Sequence, residues 1–379
     1  MSDWRKTLDE LAEAGLLRRP VTVEGAQSPH VRVNGADYVC FCSNNYLGLA
    51  HHPELIEAAK AAADEYGTGS GASRLVSGTM TIHRELEDAV ARFKGAEAAI
   101  VFPTGYMANA GTIPALVGKA DTIFCDRLNH ASIFDGCRLS GATLRVYPHK
   151  DAAKLDELLA REREGRALAV TDTVFSMDGD LAPLPELIDV CERRGAMLMI
   201  DEAHATGVLG ANGRGAAEHF AIEPGRIPIV MGTLSKAAGS LGGYVAGSRD
   251  LIDLLLNKAR SFIYTTALPP AVCGASMAAL RIIEQEPERR EALWARAKQL
   301  QDGLRALGLK IGPTETPITP LIVGESAAAV ELSKKLFERG ILAPAIRPPT
   351  VPEGAARIRL TPMATHTADD IAALLAALS

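Results

Sequence analysis

An α/β fold is predicted, with a mostly parallel central sheet, helices on both faces, and a smaller α+β domain toward the C-terminus. Three observations predict it. From about Pro53 onward, helical patterns alternate with short apolar runs. Those runs carry no charge, as strands covered on both faces require. Pro269-Pro270 then breaks the alternation ahead of a strand, helix, strand ending.

Taken in order, Met1 to Pro20 reads as an amphipathic helix with apolar positions at Leu8, Leu11 and Ala12, followed by extended runs at Val21 to Val23 and Val31 to Val33. Helical patterns such as Pro53 to Tyr66 and His83 to Lys94 alternate with the strand candidates. These are Ala98 to Phe102, Thr122 to Cys125, Leu168 to Val170, Ala196 to Ile200 and Ile227 to Met231. One long helix is expected from Ala271 to Leu307. Thr319 to Val323, Ala328 to Arg339, Arg357 to Leu360 and Ala368 to Leu378 then read as strand, helix, strand and helix. The expected division is an arm over 1–45, a large domain over 46–268 and a small domain over 269–379.

The 379 residues are 47% hydrophobic and 23% charged, which sets aside disordered, collagenous and coiled-coil classes. With 40 basic and 46 acidic residues the net charge is −6, so no overall positive field draws nucleic acid or an anionic membrane. No run approaches the roughly 20 apolar residues of a membrane span, and the N-terminus lacks a secretory pattern. Six scattered cysteines form no disulfide framework, and the reducing cytoplasm is the expected compartment. Cys40 and Cys42 have no matching second pair, so no metal site is expected. The mixed-charge stretches Arg161 to Arg166 and Glu284 to Glu291 are solvated helix faces.

Three loops follow predicted strands, at the edge where parallel α/β sheets bind ligands. Gly105 to Ala110 opens a helix whose free amides suit a phosphate, although an ordinary strand-to-helix turn reads the same way. Asp201-Glu202-Ala203-His204 sets an acid and an imidazole three residues apart. A zinc site there lacks a third ligand at matching spacing, and Asp201 as a simple turn cap is the structural alternative. Thr233-Leu234-Ser235-Lys236 leads into a run of small residues, a setting in which a lysine loses its proton more readily and forms imines. Gly111 to Lys119 fails as a P-loop, since six residues separate its glycines and Ala120 stands where Ser or Thr is required. Gly67 to Gly71 follows a helical segment and lacks the dinucleotide spacing.

Phosphate loop, acid and imine-forming lysine together describe a pyridoxal 5′-phosphate site. The stretches Ser43 to Gly48, Gly69 to Arg74, Asp126 to Ser132, Phe175 to Asp180, Asp201 to Gly207 and Thr233 to Lys236 resemble the α-oxoamine synthases, fold-type I pyridoxal-phosphate transferases. They span most of the chain in the family's order. Asn45 departs from a position that is often Asp. Ala345 to Pro352 is most similar to the branch that condenses L-alanine with pimeloyl-CoA, or its acyl-carrier-protein form, in biotin biosynthesis.

The resemblance implies that Lys236 holds the cofactor and moves the amino acid's Cα proton, while Asp201 pairs with the ring nitrogen. His130 would stack on the ring, and His204 and Ser176 would lie at its phenolic edge. Gly105, Tyr106 and Thr233 would serve the phosphate end. Arg359 would clamp the substrate carboxylate, with Arg18, Asn44 and Thr350 as further substrate contacts. Strand alternation puts Arg357 and Arg359 on one face, so the residues alone do not choose between them. A homodimer is implied, with Thr265 and Thr266 reaching the partner's phosphate. The alternatives are a glycine- or serine-using member of the same family, an aminotransferase, or a regulator without catalysis; the last needs a DNA-binding region for which the length and the −6 charge leave no room.

Overall fold

The computed structural model describes residues 3–13, 16–18, 20–313 and 315–379. Thirteen strands occur among them. They are β1 (His30–Val33), β2 (Ala36–Cys40), β3 (Ala98–Phe102), β4 (Thr122–Asp126), β5 (Thr143–Tyr147), β6 (Ala167–Asp172), β7 (Met197–Asp201), β8 (Ile229–Thr233), β9 (Gly243–Gly247), β10 (Thr319–Gly324), β11 (Ile341–Leu342), β12 (Ala345–Ile346) and β13 (Ala356–Leu360).

The central sheet runs β3-β9-β8-β7-β6-β4-β5, parallel except for β9, which is antiparallel to both neighbours. Alternate side chains feed two cores, which is the mark of helices on both faces. Phe124 and Ile200 belong to one core with Leu86 and Leu187, whereas Ile123 and Met199 belong to the other with Ile113 and Leu255. All five expected strands of this sheet are present: β3 has the expected bounds, β4 runs one residue longer, β6 is longer at both ends, and β7 and β8 are shifted by one and two residues toward the C-terminus. β5 and β9 escaped the reading because β5 is an edge strand of mixed polarity and β9 is framed by glycines.

Two three-stranded sheets flank this body. β2 pairs antiparallel with β1 and parallel with β11, so residues 30–40 join the C-terminal part of the chain; β13 lies between β10 and β12. Phe41 enters the third core with Leu300, Leu321, Ile358 and Ile371.

Two expectations need correction. The single helix from Ala271 to Leu307 is two, Pro270–Gln285 and Pro287–Ala306. Pro287 has no N–H to continue a helix and starts the second one, while Glu286 before it leaves helical geometry at φ −118°, ψ 67°. Val21 to Val23 forms no strand; only Glu24 bridges to Arg32. Helix Asp3–Glu13 buries none of its residues in this chain, so its apolar stripe finds no cover here. The described cysteines are free, with Cys40 closing β2 and Cys42 beyond it. No helix among the described residues is long and apolar enough to cross a membrane.

Candidate active site

The carboxyl ends of β3, β4, β6, β7 and β8 converge, and each loop that leaves them carries one part of the site. At β8, Thr233 Oγ1 donates to the Gly242 carbonyl (2.7 Å), which closes the 234–242 turn and fixes where Lys236 begins. Gly239 in that turn has φ +64°, and a Cβ there would stand 2.4 Å from the Ala50 nitrogen, so only glycine permits it.

Lys236 Nζ lies 2.8 Å from His204 Nε2. Burial pushes its pKa down to about 8 against the pull of the Asp201 and Asp172 carboxylates, and the Arg359 charge lowers it further. Among the described residues Lys236 forms no ion pair. Burial, with the charges of Lys236, Arg359 and His130, holds His204 well below the ordinary imidazole range, so it is neutral.

Asp201 ends β7 and is buried. Its Oδ1 accepts from the Ala203 amide (2.8 Å) and its Oδ2 from Asn109 Nδ2 (2.8 Å). The same Asn109 Nδ2 donates to Ser132 Oγ (3.0 Å), which sits 2.7 Å from His130 Nδ1. Asn109 and Ser132 therefore tie the acid to the imidazole. Neither was picked out in the sequence, although both lie in loops that were. Asp172, paired in register with Asp201, was also missed. Its Oδ2 accepts from the His130 amide (2.7 Å), and burial next to Asp201 raises its pKa well above the carboxylate range.

The helix Gly105–Leu116 starts at the edge of this cluster, capped by Thr104 Oγ1 accepting from the Met107 amide (3.1 Å). A Cβ on Gly105 would meet Thr233 Oγ1 at 3.4 Å, so the helix start and Thr233 are neighbours. Tyr106 turns its hydroxyl to Asp135 (2.8 Å). The amides of the first turn have no acceptor within the helix.

Geometry separates the two arginines that sequence could not. Arg357 donates to Asp178 Oδ1 (2.7 Å) and the Met177 carbonyl (3.0 Å), so its charge is spent inside the protein. Arg359 donates to the Ser176 carbonyl (2.5 Å) and Tyr46 Oη (3.0 Å) and faces no carboxylate partner among the described residues. Ser176 thus enters through its backbone. Asn44 Oδ1 lies 3.4 Å from Tyr46 Oη.

A cavity of about 630 Å³ adjoins His130 and Ser176 and brings Arg18 and Thr350 to the same place from distant parts of the chain. Arg127 and Arg138 also line it, alongside Phe134, Met177 and Val351. The sequence reading gave neither arginine a role, although Arg127 lies in the stretch Asp126 to Ser132. Thr265 and Thr266 stand apart from this cluster: Thr266 bridges to Ser73, and neither hydrogen bonds to Lys236, Asp201 or His204.

A family model for class I and II aminotransferases matches residues 36–378. A curated 8-amino-7-oxononanoate synthase of Geobacter sulfurreducens is 52% identical over 98% of this chain and 96% of its own. The Pseudomonas putida protein of that name is 49% identical, covering 100% of this chain and 96% of its own. The chain belongs to the α-oxoamine synthases. Among solved structures, a serine palmitoyltransferase from S. paucimobilis with bound PLP and myriocin superposes with a TM-score of 0.94 at 34% identity, covering 99% of this chain and 96% of the other. A Francisella tularensis 8-amino-7-oxononanoate synthase gives 0.79 at 31% identity, with 90% and 96% covered.

The enzyme's cofactor is pyridoxal 5′-phosphate, and the residues fit it. An amine of lowered pKa stands beside two buried carboxylates, a helix start offers free amides, and Asn109 Oδ1 is buried without a hydrogen-bond partner. Gly243 packs so tightly on this loop that a Cβ would come within 2.6 Å of the Thr104 carbonyl, which holds the helix start against the sheet.

Proposed function

We propose that this acyltransferase condenses L-alanine with pimeloyl-CoA, or the pimeloyl-acyl-carrier protein, to give 8-amino-7-oxononanoate, CO2 and the free thiol. The condensation is a step of biotin biosynthesis. The names shared by full-length relatives near 50% identity support this reading. The observation that carries it is the lysine of lowered pKa beside His204, joined through His204 and Tyr46 to an arginine with no carboxylate partner among the described residues.

Lys236, Asp201, His204, His130, Gly105, Tyr106, Thr233 and Ser176 would hold the cofactor, which supplies an electron sink for charge developing at the amino acid's Cα. Near pH 8 Lys236 passes between amine and ammonium, so it can hold and move the Cα proton. Asp201, fixed by two hydrogen bonds and buried, presents a carboxylate that cannot rotate away. His130 is exposed to the cleft and tethered through Ser132. The guanidinium of Arg359 binds alanine's carboxylate until that group leaves as CO2; holding it still keeps the breaking bond aligned, which affects rate as well as affinity. Asn44, Arg18 and Thr350 would contact the substrates, the last two from the cavity where an acyl chain finds apolar walls and an anionic donor finds arginines.

We further propose a cytoplasmic homodimer in which Thr265 and Thr266 serve the partner's phosphate site. We also propose the division into an arm over 1–45, a large domain over 46–268 and a small domain over 269–379, in which Arg359 and Thr350 would belong to the small domain and Lys236 to the large one. To test the function, purified protein is loaded with cofactor and given pimeloyl-CoA with alanine, glycine or serine, and products are identified by mass spectrometry. The alanine arm should yield the C9 amino-ketone with equimolar CO2. Product only with glycine or serine would replace the substrate assignment.

A further inference from the structure

Tyr46 is buried, at 1% exposure, and the loop 43–48 brings its hydroxyl between two groups that the proposed function uses separately. Tyr46 Oη accepts from Arg359 Nη2 at 3.0 Å and lies 2.7 Å from His204 Nδ1, whose other nitrogen is 2.8 Å from Lys236 Nζ. Four side chains from three distant parts of the chain thus form one hydrogen-bonded line, from the carboxylate clamp to the amine.

We propose that Tyr46 is a positioning residue that couples Arg359 to the His204–Lys236 pair by setting the tautomer of His204 and the aim of the guanidinium. The inference rests on the reading of Arg359 and Lys236 given above.

The hydroxyl has one proton and two acceptors within reach, His204 Nδ1 at 2.7 Å and Asn44 Oδ1 at 3.4 Å. Donating to Nδ1 leaves the His204 proton on Nε2, where it faces a lysine lone pair and so favours the neutral amine. With Lys236 as ammonium the order reverses: Nε2 accepts from the ammonium, Nδ1–H donates to Tyr46, and the hydroxyl turns to Asn44. Between the two states the amine takes the Nε2 proton, Nδ1 gains the added proton and one O–H rotates, so both charge states of Lys236 are accommodated without moving a heavy atom. Burial makes a broken member of such a line costly, since no water replaces it. The charged or titratable groups are Lys236, His204, Tyr46 and Arg359 within the line, and Asp201, Asp172, His130 and Cys42 beside it. The aromatic ring of Tyr46 also meets the His204 ring edge-on at 6.0 Å, a contact that phenylalanine keeps. Tyr46→Phe thus removes the hydroxyl alone.

Two readouts test this. In apoprotein with ¹⁵N-labelled histidine, wild type should show His204 with well-resolved Nδ1 and Nε2 shifts that exchange roles as Lys236 titrates. In Tyr46→Phe the shifts should move toward tautomer averaging. In holoenzyme, the variant should raise the alanine KM about tenfold while the thioester KM stays within about twofold, as loss of one hydrogen bond to a charged group predicts. Unchanged His204 shifts would overturn the proposal, as would KM values rising equally for both substrates. The NMR arm needs neither cofactor nor substrate, so failure of the proposed function, seen as no product from alanine and pimeloyl-CoA, is distinguishable from failure of the Tyr46 coupling.

Discussion

Asp201 and Glu202 are consecutive residues, and each faces a lysine in a differently organised region. Glu202 meets Lys94 in a closed arrangement: Lys94 pairs with Glu202 and donates to the Arg214 carbonyl, while Glu202 Oε1 accepts from the amides of Ala216 (2.8 Å) and Ala217 (3.2 Å). Burial by itself lowers the Lys94 pKa, yet Glu202 and Tyr244 hold it above the ordinary value. On the Asp201 side the balance is reversed. Lys236 has carboxylates nearby but no ion pair, and its pKa falls to about 8. Arg357 and Arg359 repeat the contrast on one strand. A buried charge that is matched inside the protein holds the fold together; one left unmatched is available to a ligand.

The largest effect that sharpens this contrast is on stability. Lys94→Met should strand the Glu202 carboxylate and cost about 3–5 kcal/mol in urea unfolding, while any folded fraction still takes up cofactor. A cost below about 1 kcal/mol would mean that Lys94 is not matched in the way described. Next come the arginines. Arg359→Gln should raise the alanine KM about 100-fold through loss of charged hydrogen bonds, whereas Arg357→Gln should leave it within about threefold and lower stability instead. Equal KM effects would erase the distinction between them.

The smallest effect is a pH dependence in the matched region around His149. Its Nδ1 is 3.1 Å from Asp126 and its Nε2 2.8 Å from Asp180. Burial opposes the charged ring, but the two carboxylates outweigh burial and raise its pKa from 6.5 to about 9. Because the folded value lies above the unfolded one, this stabilisation is complete below pH 6.5 and lost as pH rises through 9. Unfolding at pH 6 and pH 10 should therefore show about 2–3 kcal/mol more loss in wild type than in His149→Gln. Parallel curves for the two proteins would contradict it.

The sequence made legible whatever is local. The helix Pro53–Tyr66 has the bounds that its pattern predicts, and Lys236, Asp201 and His204 lie at strand ends, as the loops after each apolar run indicated. What stayed hidden depends on contacts between remote segments. Tyr46 and His204 are 158 residues apart, and Arg359 and Tyr46 are 313 apart. Arg357 and Arg359 share one face of one strand, and only remote partners, Asp178 for the first and Tyr46 for the second, distinguish them. Asn109 reads as a helix residue until the fold turns it onto Asp201. Pro287 was visible, yet a strong helical pattern on both sides masked a break that the residue's chemistry demanded.

The central claim is that the amine of Lys236, unmatched inside the protein, is where the cofactor is joined. Borohydride reduction of the loaded enzyme followed by peptide mass spectrometry tests it directly. The account predicts one pyridoxyl adduct per chain, on the peptide containing Lys236, and none in Lys236→Ala. An adduct on Lys94 or another lysine of the native enzyme, with Lys236 unmodified, would contradict it.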